Sequence, residues 1–215
     1  MTRIVKTADV RRGEILDAAE ALILHHGYQG MTMAQLMAEV GVAKGTLYHH
    51  FPSKEAILRG IVERQATQML ERSRQAAAAP ASVVDRILAV IAGNRVSEDE
   101  DALVEHFNAT RNAEFHLLAL VALVRDIAPV LVALVEEGNA SGELHCTDPL
   151  TTCEVLLAAT GTLTDTGIFP DANEHAQRRI VGILTIAEEL LGVPSGRLLE
   201  PALQTLDVRT EEVHS

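Results

Sequence analysis

Apolar residues recur along the first part of the chain at the spacing of a helix. Between Ile15 and Ile23 they follow the i, i+3, i+4, i+7, i+8 pattern, which places them on one helical face. Gly27 follows that face and predicts a left-handed helix end. No stretch alternates apolar and polar residues as a strand would. The pattern therefore predicts an all-α fold.

Two short helices follow the first one. Thr32 and Gln35 form a capping-box pattern ahead of an apolar face that runs to Val40. Gly41 breaks this helix, and a second short helix is predicted over Val42–Phe51. Two short helices around a glycine turn constitute a helix-turn-helix unit.

Helix-start and helix-stop signals also divide the rest of the chain. Ser53 predicts the start of a helix that runs to about Ala78. The later predicted elements are a capped start at Ser97, a long helix over Phe115–Val135, a loop over Gly138–Thr147, a start at Asp148 and Pro149, and a last helix boxed by Asp171 and Glu174 and closed by Gly192. We predict a helix-turn-helix domain over residues 1–54, a larger helical domain over 55–195 and a loosely held tail over 196–215.

The most apolar segment of the chain, Phe115–Gly138, is long enough to suggest a membrane span. Arg125, Asp126 and Pro129 interrupt it in the middle, so we interpret it as a buried helix. Cys146 and Cys153 are too few for a disulfide framework and predict reduced thiols. With no secretory leader pattern at the start, we expect a cytoplasmic protein without a membrane partner.

The net charge of −12 conceals an asymmetry along the chain. Residues 1–75 contain ten Lys/Arg and eight Asp/Glu, whereas residues 76–215 contain eight and twenty-two. A slightly basic N-terminal region on an acidic remainder favours nucleic-acid binding by the first region. The alternative is that the surface charge only keeps the protein soluble.

The Val42–Phe51 helix has little core and many hydrogen-bond donors. Leu47 and Phe51 face the core, while Lys44 and Tyr48 share another face. Gly45 removes a side chain beside them, so a partner can approach the backbone closely. These features are typical of a recognition helix that reads base edges in the major groove. Thr32 and Lys54, each at a helix start, are placed to bind phosphates on either side.

The stretch from Ile15 to Leu58 resembles the DNA-binding domain of the TetR (tetracycline-repressor) family of bacterial transcription regulators, with the specific motif G-T-L-Y-x-H-F-x-S-K-E. The remainder is similar to that family only in being helical, acidic and variable. The resemblance implies a homodimer that binds a palindromic operator as a repressor. It also implies release by a small effector bound in the larger domain, and association with the nucleoid.

The resemblance also implies DNA contacts by position. Base-edge contacts are expected from Lys44, Gly45, Tyr48 and His49, phosphate contacts from Thr32, His50 and Lys54, and Thr46 belongs to the same surface. One departure stands at the start of the helix. Val42 and Ala43 replace the usual Ser or Thr, which removes a helix cap worth about 1 kcal/mol and a phosphate donor.

The larger domain is expected to bind the effector and to dimerise. Broad apolar faces over Thr151–Thr166 and Glu174–Leu191 predict a four-helix bundle across a two-fold axis. The candidate effector-binding residues are His106, Phe107, Arg111, Phe115, Leu118, Thr160 and Thr164. With four Phe, two Tyr and no Trp in the chain, an aliphatic or acyl-chain effector suits the expected Leu/Val/Ala lining.

Metal sensing is the alternative function, and catalysis is the other class to weigh. The possible metal ligands are Glu105, His106, His116, His145, Cys146, Cys153, Glu174 and His175. None of them pair at the tight spacing that zinc sites show, so we predict no metal and no cofactor. The chain has no G-x-S-x-G, phosphate-loop or H-E-x-x-H motif, and we therefore expect no enzyme activity.

Overall fold

A computed structural model describes residues 7–93, 107 and 112–204. Every regular element in these residues is helical. The helices are α1 (Ala8–Gly30), α2 (Met33–Val40), α3 (Lys44–His50), α4 (Lys54–Ala77), α5 (Val83–Gly93), α6 (Ala113–Ser141), α7 (Pro149–Leu163) and α8 (Ala172–Leu191). The predicted all-α fold with an N-terminal helix-turn-helix unit is confirmed. The predicted start at Ser97 lies outside the described residues.

We call α1–α3 together with α4 through Ala66 the head. Its local signals act as predicted: the Thr32 hydroxyl accepts the Gln35 N–H, and the Gln35 side chain accepts the Thr32 N–H at 2.8 Å. Gly41 ends α2 in the left-handed conformation. The core is a single cluster in which the most deeply buried side chains are Ile15, Ile23, Met31, Leu36, Leu47, Phe51, Ile57, Leu58 and Ile61.

α4 joins the two parts of the molecule without a break. Its first half packs in the head, and Arg64 bridges Asp17 and Glu20 of α1 at 2.5 and 2.6 Å. Its second half contributes Met69 and Leu70 to another core. We call this second half of α4, together with α5–α8 and residues 192–204, the body. The head core extends through Ala66, so it passes the domain boundary that we predicted at residue 54.

The body is built around α6, which packs against α4, α5 and α7. By length and composition α6 could cross a membrane, and one third of its most apolar window is buried here. Arg125 and Asp126 form an exposed ion pair at 2.7 Å in its middle, and Pro129 lies inside the helix without ending it. α8 packs against α7, and their contact completes a helical body.

Four local predictions differ from the structure. Gly27 has positive φ (76°) but extended ψ (156°), so it kinks α1 rather than ending it. The predicted loop at Gly138 begins later, because α6 runs on to a left-handed cap at Gly142. Asp171 makes no capping hydrogen bond, since its carboxylate is engaged by Arg179 at 3.0 Å.

The fourth difference concerns the predicted loose tail, of which residues 196–204 are packed. Leu198 is buried, and the chain is helical again at 199–204. The carboxylate of Glu188, itself buried on α8, accepts the N–H groups of Gly196, Leu198 and Leu199 at 2.7–2.9 Å. A buried carboxylate with three backbone donors therefore anchors this segment to α8.

Candidate nucleic-acid interface

α3 buries one side of itself and leaves the other to solvent. Leu47 is fully buried in the head core. The neighbouring predicted contact residues Lys44, Gly45, Thr46, Tyr48 and His49 are exposed, and His50 is half-buried. The structure therefore brings the predicted base-edge residues together on one solvent-facing surface.

Two features of this surface favour close approach by a partner. Apart from its chain neighbours and its own helical backbone, no described atom lies within 4 Å of where a Cβ on Gly45 would be, so packing does not require a glycine there. The Lys44 ammonium lies 5.7 Å from the centre of the Tyr48 ring, which keeps the charge on the outer side of the helix. Ala43 makes no side-chain capping hydrogen bond, because alanine has no polar side-chain atom.

The predicted phosphate contacts lie at the starts of α2 and α4. The Thr32 hydroxyl is exposed but donates to Gln35 Oε1 at 2.8 Å, so a phosphate would have to compete for that hydrogen. The Lys54 ammonium donates to the Gln29 carbonyl at 3.1 Å and lies 4.5 Å from the centre of the Tyr28 ring. Burial lowers the pKa of Lys54 from its ordinary value, which Glu55 partly offsets.

The described lysines and arginines of the head differ in whether they form ion pairs. Arg11, Arg12, Arg59 and Arg64 each pair with a carboxylate at 2.5–3.7 Å. Within the described residues no carboxylate lies within 4.0 Å of the Lys44 or Lys54 ammonium. These two cations therefore keep their charge available for an external anion.

An aromatic row leads from Lys54 into the body. Tyr28 is buried, and its ring lies 6.0 Å from that of Phe107, which stacks on Phe115 at 4.1 Å. The Phe115 ring lies 5.5 Å edge-on from His116. Burial, together with Glu55 and Glu114, raises the pKa of Tyr28 to about 12, so its hydroxyl stays neutral.

Two of the predicted effector residues, Phe107 and Phe115, belong to this row. Phe107 and Phe115 are buried and Leu118 packs beside them, while His106 and Arg111 lie outside the described residues. The hydroxyls of Thr160 and Thr164 donate to carbonyls of their own helix at 2.8 Å, which leaves them only as acceptors.

Sequence reasoning missed Tyr28 and Asp165, and it included His116 among the possible metal ligands but not among the candidate effector-binding residues. His116 Nδ1 lies 2.8 Å from an Asp165 carboxylate oxygen, which links α6 to the turn after α7. These residues are 49 positions apart, and no local pattern connects them. Tyr28 follows a helix-breaking glycine and carries no signal that distinguishes it from an ordinary core residue.

The candidate metal ligands do not converge in the part of the chain that the structure describes, where no three His, Cys, Asp or Glu side chains could hold an ion. Glu105 and His106 lie outside that part. Cys146 and Cys153 are free, buried thiols. Burial raises the pKa of Cys153 to about 12, and the nearby Cys146 and Glu154 act in the same direction, so this thiol is unreactive.

The fold and this surface define a helix-turn-helix DNA-binding domain on a helical body. A family model described as bacterial regulatory proteins, tetR family, matches residues 15–61. Over these residues, the chain carries a DNA-binding domain of the TetR type.

Relatives and solved structures agree with this assignment. The HTH-type transcriptional repressor AcnR of Corynebacterium diphtheriae is 37% identical over 62 residues, which span 29% of this chain and 33% of AcnR. The chain therefore matches only a third of that relative's length. The fatty acid metabolism regulator protein of Bacillus subtilis is 25% identical over 134 residues, 61% of this chain and 69% of the relative. The solved structure of Salmonella enterica GusR is similar over 88% of this chain and all of GusR, with 26% identity and a TM-score of 0.62.

Proposed function

We propose that this protein is a cytoplasmic, ligand-responsive transcriptional repressor that binds a palindromic operator as a homodimer. The observation that carries this proposal is the exposed face of α3, whose Lys44 has no carboxylate partner among the described residues. Such a face supplies donors for base edges, while Lys54 supplies charge for the phosphate backbone. The match to the repressor AcnR over the same region supports repression.

Binding to DNA next to the protein's own gene tests this proposal. Fluorescence anisotropy is measured with overlapping duplexes from that region and with a shuffled duplex of the same composition, at one fixed salt concentration. We expect one duplex with a two-fold symmetric sequence to bind at least about 10³-fold more tightly than the shuffled one. Equal affinity for all duplexes would refute the proposal.

Exposed apolar side chains on α7 and α8 support dimerisation through these helices. Val155 is 54% and Ile186 is 52% exposed, and Leu150 of α7 and Leu190 of α8 are also exposed. Pairing these helices with a second copy buries the exposed side chains in a four-helix bundle. Light scattering at micromolar concentration gives the mass of a dimer if this holds, and Val155→Glu with Ile186→Glu converts it to a monomer. A monomeric wild type contradicts this part of the proposal.

The effector is proposed to be largely aliphatic. Among the described residues, the buried cluster of the body consists almost entirely of Leu, Val, Ile and Ala and contains no aromatic residue, whereas Phe107 and Phe115 belong to the row near the head. The match to a fatty acid metabolism regulator covers 134 residues and so extends beyond the DNA-binding domain. We expect acyl-chain compounds to lower operator affinity, whereas sugars and planar aromatics leave it unchanged.

A further inference from the structure

His116 is the most deeply buried histidine of the body, with 2% of its side chain exposed. Its Nδ1 is paired with Asp165, but its Nε2 has no hydrogen-bond partner among the described residues. A buried polar atom without a partner destabilises the folded state. The Nδ1 contact links α6 to the turn after α7, but the described fold gives Nε2 no partner.

Asp165 fixes both the orientation and the tautomer of the ring. One carboxylate oxygen accepts the N–H groups of Gly167 and Ile168 at 2.7 and 3.2 Å, and the other faces His116 Nδ1 at 2.8 Å. In the neutral ring the carboxylate therefore holds the hydrogen on Nδ1, and Nε2 keeps a free lone pair. The ring is preorganised to accept one hydrogen bond.

Gly167 covers that lone pair. A Cβ on Gly167 would lie 2.0 Å from His116 Nε2, so the turn closes over the ring only because residue 167 is glycine. The Cα of Gly167 offers no strong donor, and the lone pair is shielded without being satisfied. A ligand with a donor can replace this contact by moving the turn between α7 and α8.

We propose that His116 Nε2 is the polar anchor of the effector site and accepts a hydrogen bond from a hydroxyl group of an aliphatic effector. This inference rests on the proposed function and specifies its ligand chemistry. The aromatic row gives the site a physical connection to the DNA-binding surface, because Phe115 beside His116 stacks on Phe107, which leads to Tyr28 and Lys54. Displacement of the Gly167 turn by the effector weakens operator binding.

Histidine nitrogen resonances test the anchor directly. Protein labelled with ¹⁵N-histidine is titrated with 1-hexanol, 1-octanol and cyclohexanol, with the methyl ether of each alcohol as its matched control, and with octanoate. We expect the free-lone-pair signal of His116 Nε2 to move toward its hydrogen-bonded position with at least one alcohol and with none of the ethers. The change disappears in His116→Leu, whose folding is checked by circular dichroism.

Three outcomes overturn the anchor. They are an Nε2 that carries the hydrogen in the free protein, a panel in which no alcohol moves the signal more than its ether does, and a signal that responds to octanoate alone. The measurement contains no DNA. A failure here therefore leaves the repressor proposal intact, whereas a wild type without operator preference refutes the repressor proposal and leaves the histidine result standing.

A second variant tests the coupling without any ligand. Gly167→Ala places a methyl group on His116 Nε2 and forces the turn outward, which mimics the bound state. We expect operator affinity to fall at least about fivefold, the lower limit of usual allosteric coupling. In the His116→Ala background the same change meets no ring and has no further effect. Equal operator affinity with and without Gly167→Ala in the wild-type background refutes the coupling.

Discussion

The head and the body place their polar groups according to opposite rules. In the head the buried cluster is apolar, and the polar side chains of α3 face outward without a side-chain hydrogen bond or ion pair among the described residues. In the body, polar groups lie inside: the buried Glu188 holds a packed segment, and the buried His116 pairs with Asp165. Polar groups on the surface can contact an external partner, whereas buried polar groups hold the elements of the fold in place.

The largest expected effect concerns the exposed surface of the head. If Lys44 makes the proposed base-edge contact in both half-sites, at about 1–3 kcal/mol each, we expect Lys44→Ala to lower operator affinity by about 30-fold to 10⁴-fold. Binding to a shuffled duplex changes far less. Anisotropy titrations with both duplexes check this. An equal loss on both duplexes would assign Lys44 to the phosphate backbone instead.

The next effect concerns the buried carboxylate of the body. Glu188→Gln loses the charge that three backbone N–H groups stabilise, and we expect the free energy of unfolding to fall by about 1–3 kcal/mol at pH 7. Urea titrations at one fixed protein concentration measure the difference.

The pH dependence of that difference identifies its cause. Burial alone would raise the pKa of Glu188, but the three N–H donors lower it below its ordinary value. A depressed pKa stabilises the fold above the unfolded pKa of about 4.3, and this contribution is lost as the pH falls through the folded pKa. The gap between wild type and Glu188→Gln should therefore narrow below about pH 4. A constant gap would indicate a packing effect only.

Lys54→Gln tests a contact of a different kind in the head. As a phosphate contact, Lys54 contributes about 1 kcal/mol or less per half-site and does so for any sequence. We expect operator and shuffled duplex to lose affinity equally, and the salt slope to fall by about one per half-site. The slope is measured between 50 and roughly 200 mM salt. A loss confined to the operator would contradict this role.

The smallest expected effect separates folding from binding at Gly45. Alanine fits there without a clash and favours the helix, so Gly45→Ala should stabilise the fold by up to about 1 kcal/mol while weakening operator binding. Gly13→Ala in α1 is the matched control, because its added Cβ also meets no atom within 4 Å. Thermal unfolding and anisotropy check both variants. Unchanged operator affinity in Gly45→Ala would show that DNA does not approach the backbone there.

Local chemistry explains which parts of the fold could be predicted. The Thr32–Gln35 box and the Gly41 cap depend on residues that are neighbours in sequence, and both formed as predicted. Asp171 shows where this reasoning ends, because Arg179 engages the carboxylate that was expected to cap α8.

The same limit holds for the sites. The exposed surface of α3 could be predicted, since it lies within one short motif. The pairing of His116 with Asp165 and the packing of residues 196–204 depend on tertiary contacts that no sequence period encodes.

The continuous α4 has a consequence for how the molecule unfolds. α4 contributes Ile57, Leu58 and Ile61 to the head core and Met69 and Leu70 to the body core. The two cores therefore share one continuous helix, with no flexible linker between them. The head core also contains Phe107 and Phe115 from the body side. Calorimetry should therefore show one cooperative transition whose van't Hoff and calorimetric enthalpies agree, and limited proteolysis should release no intact head.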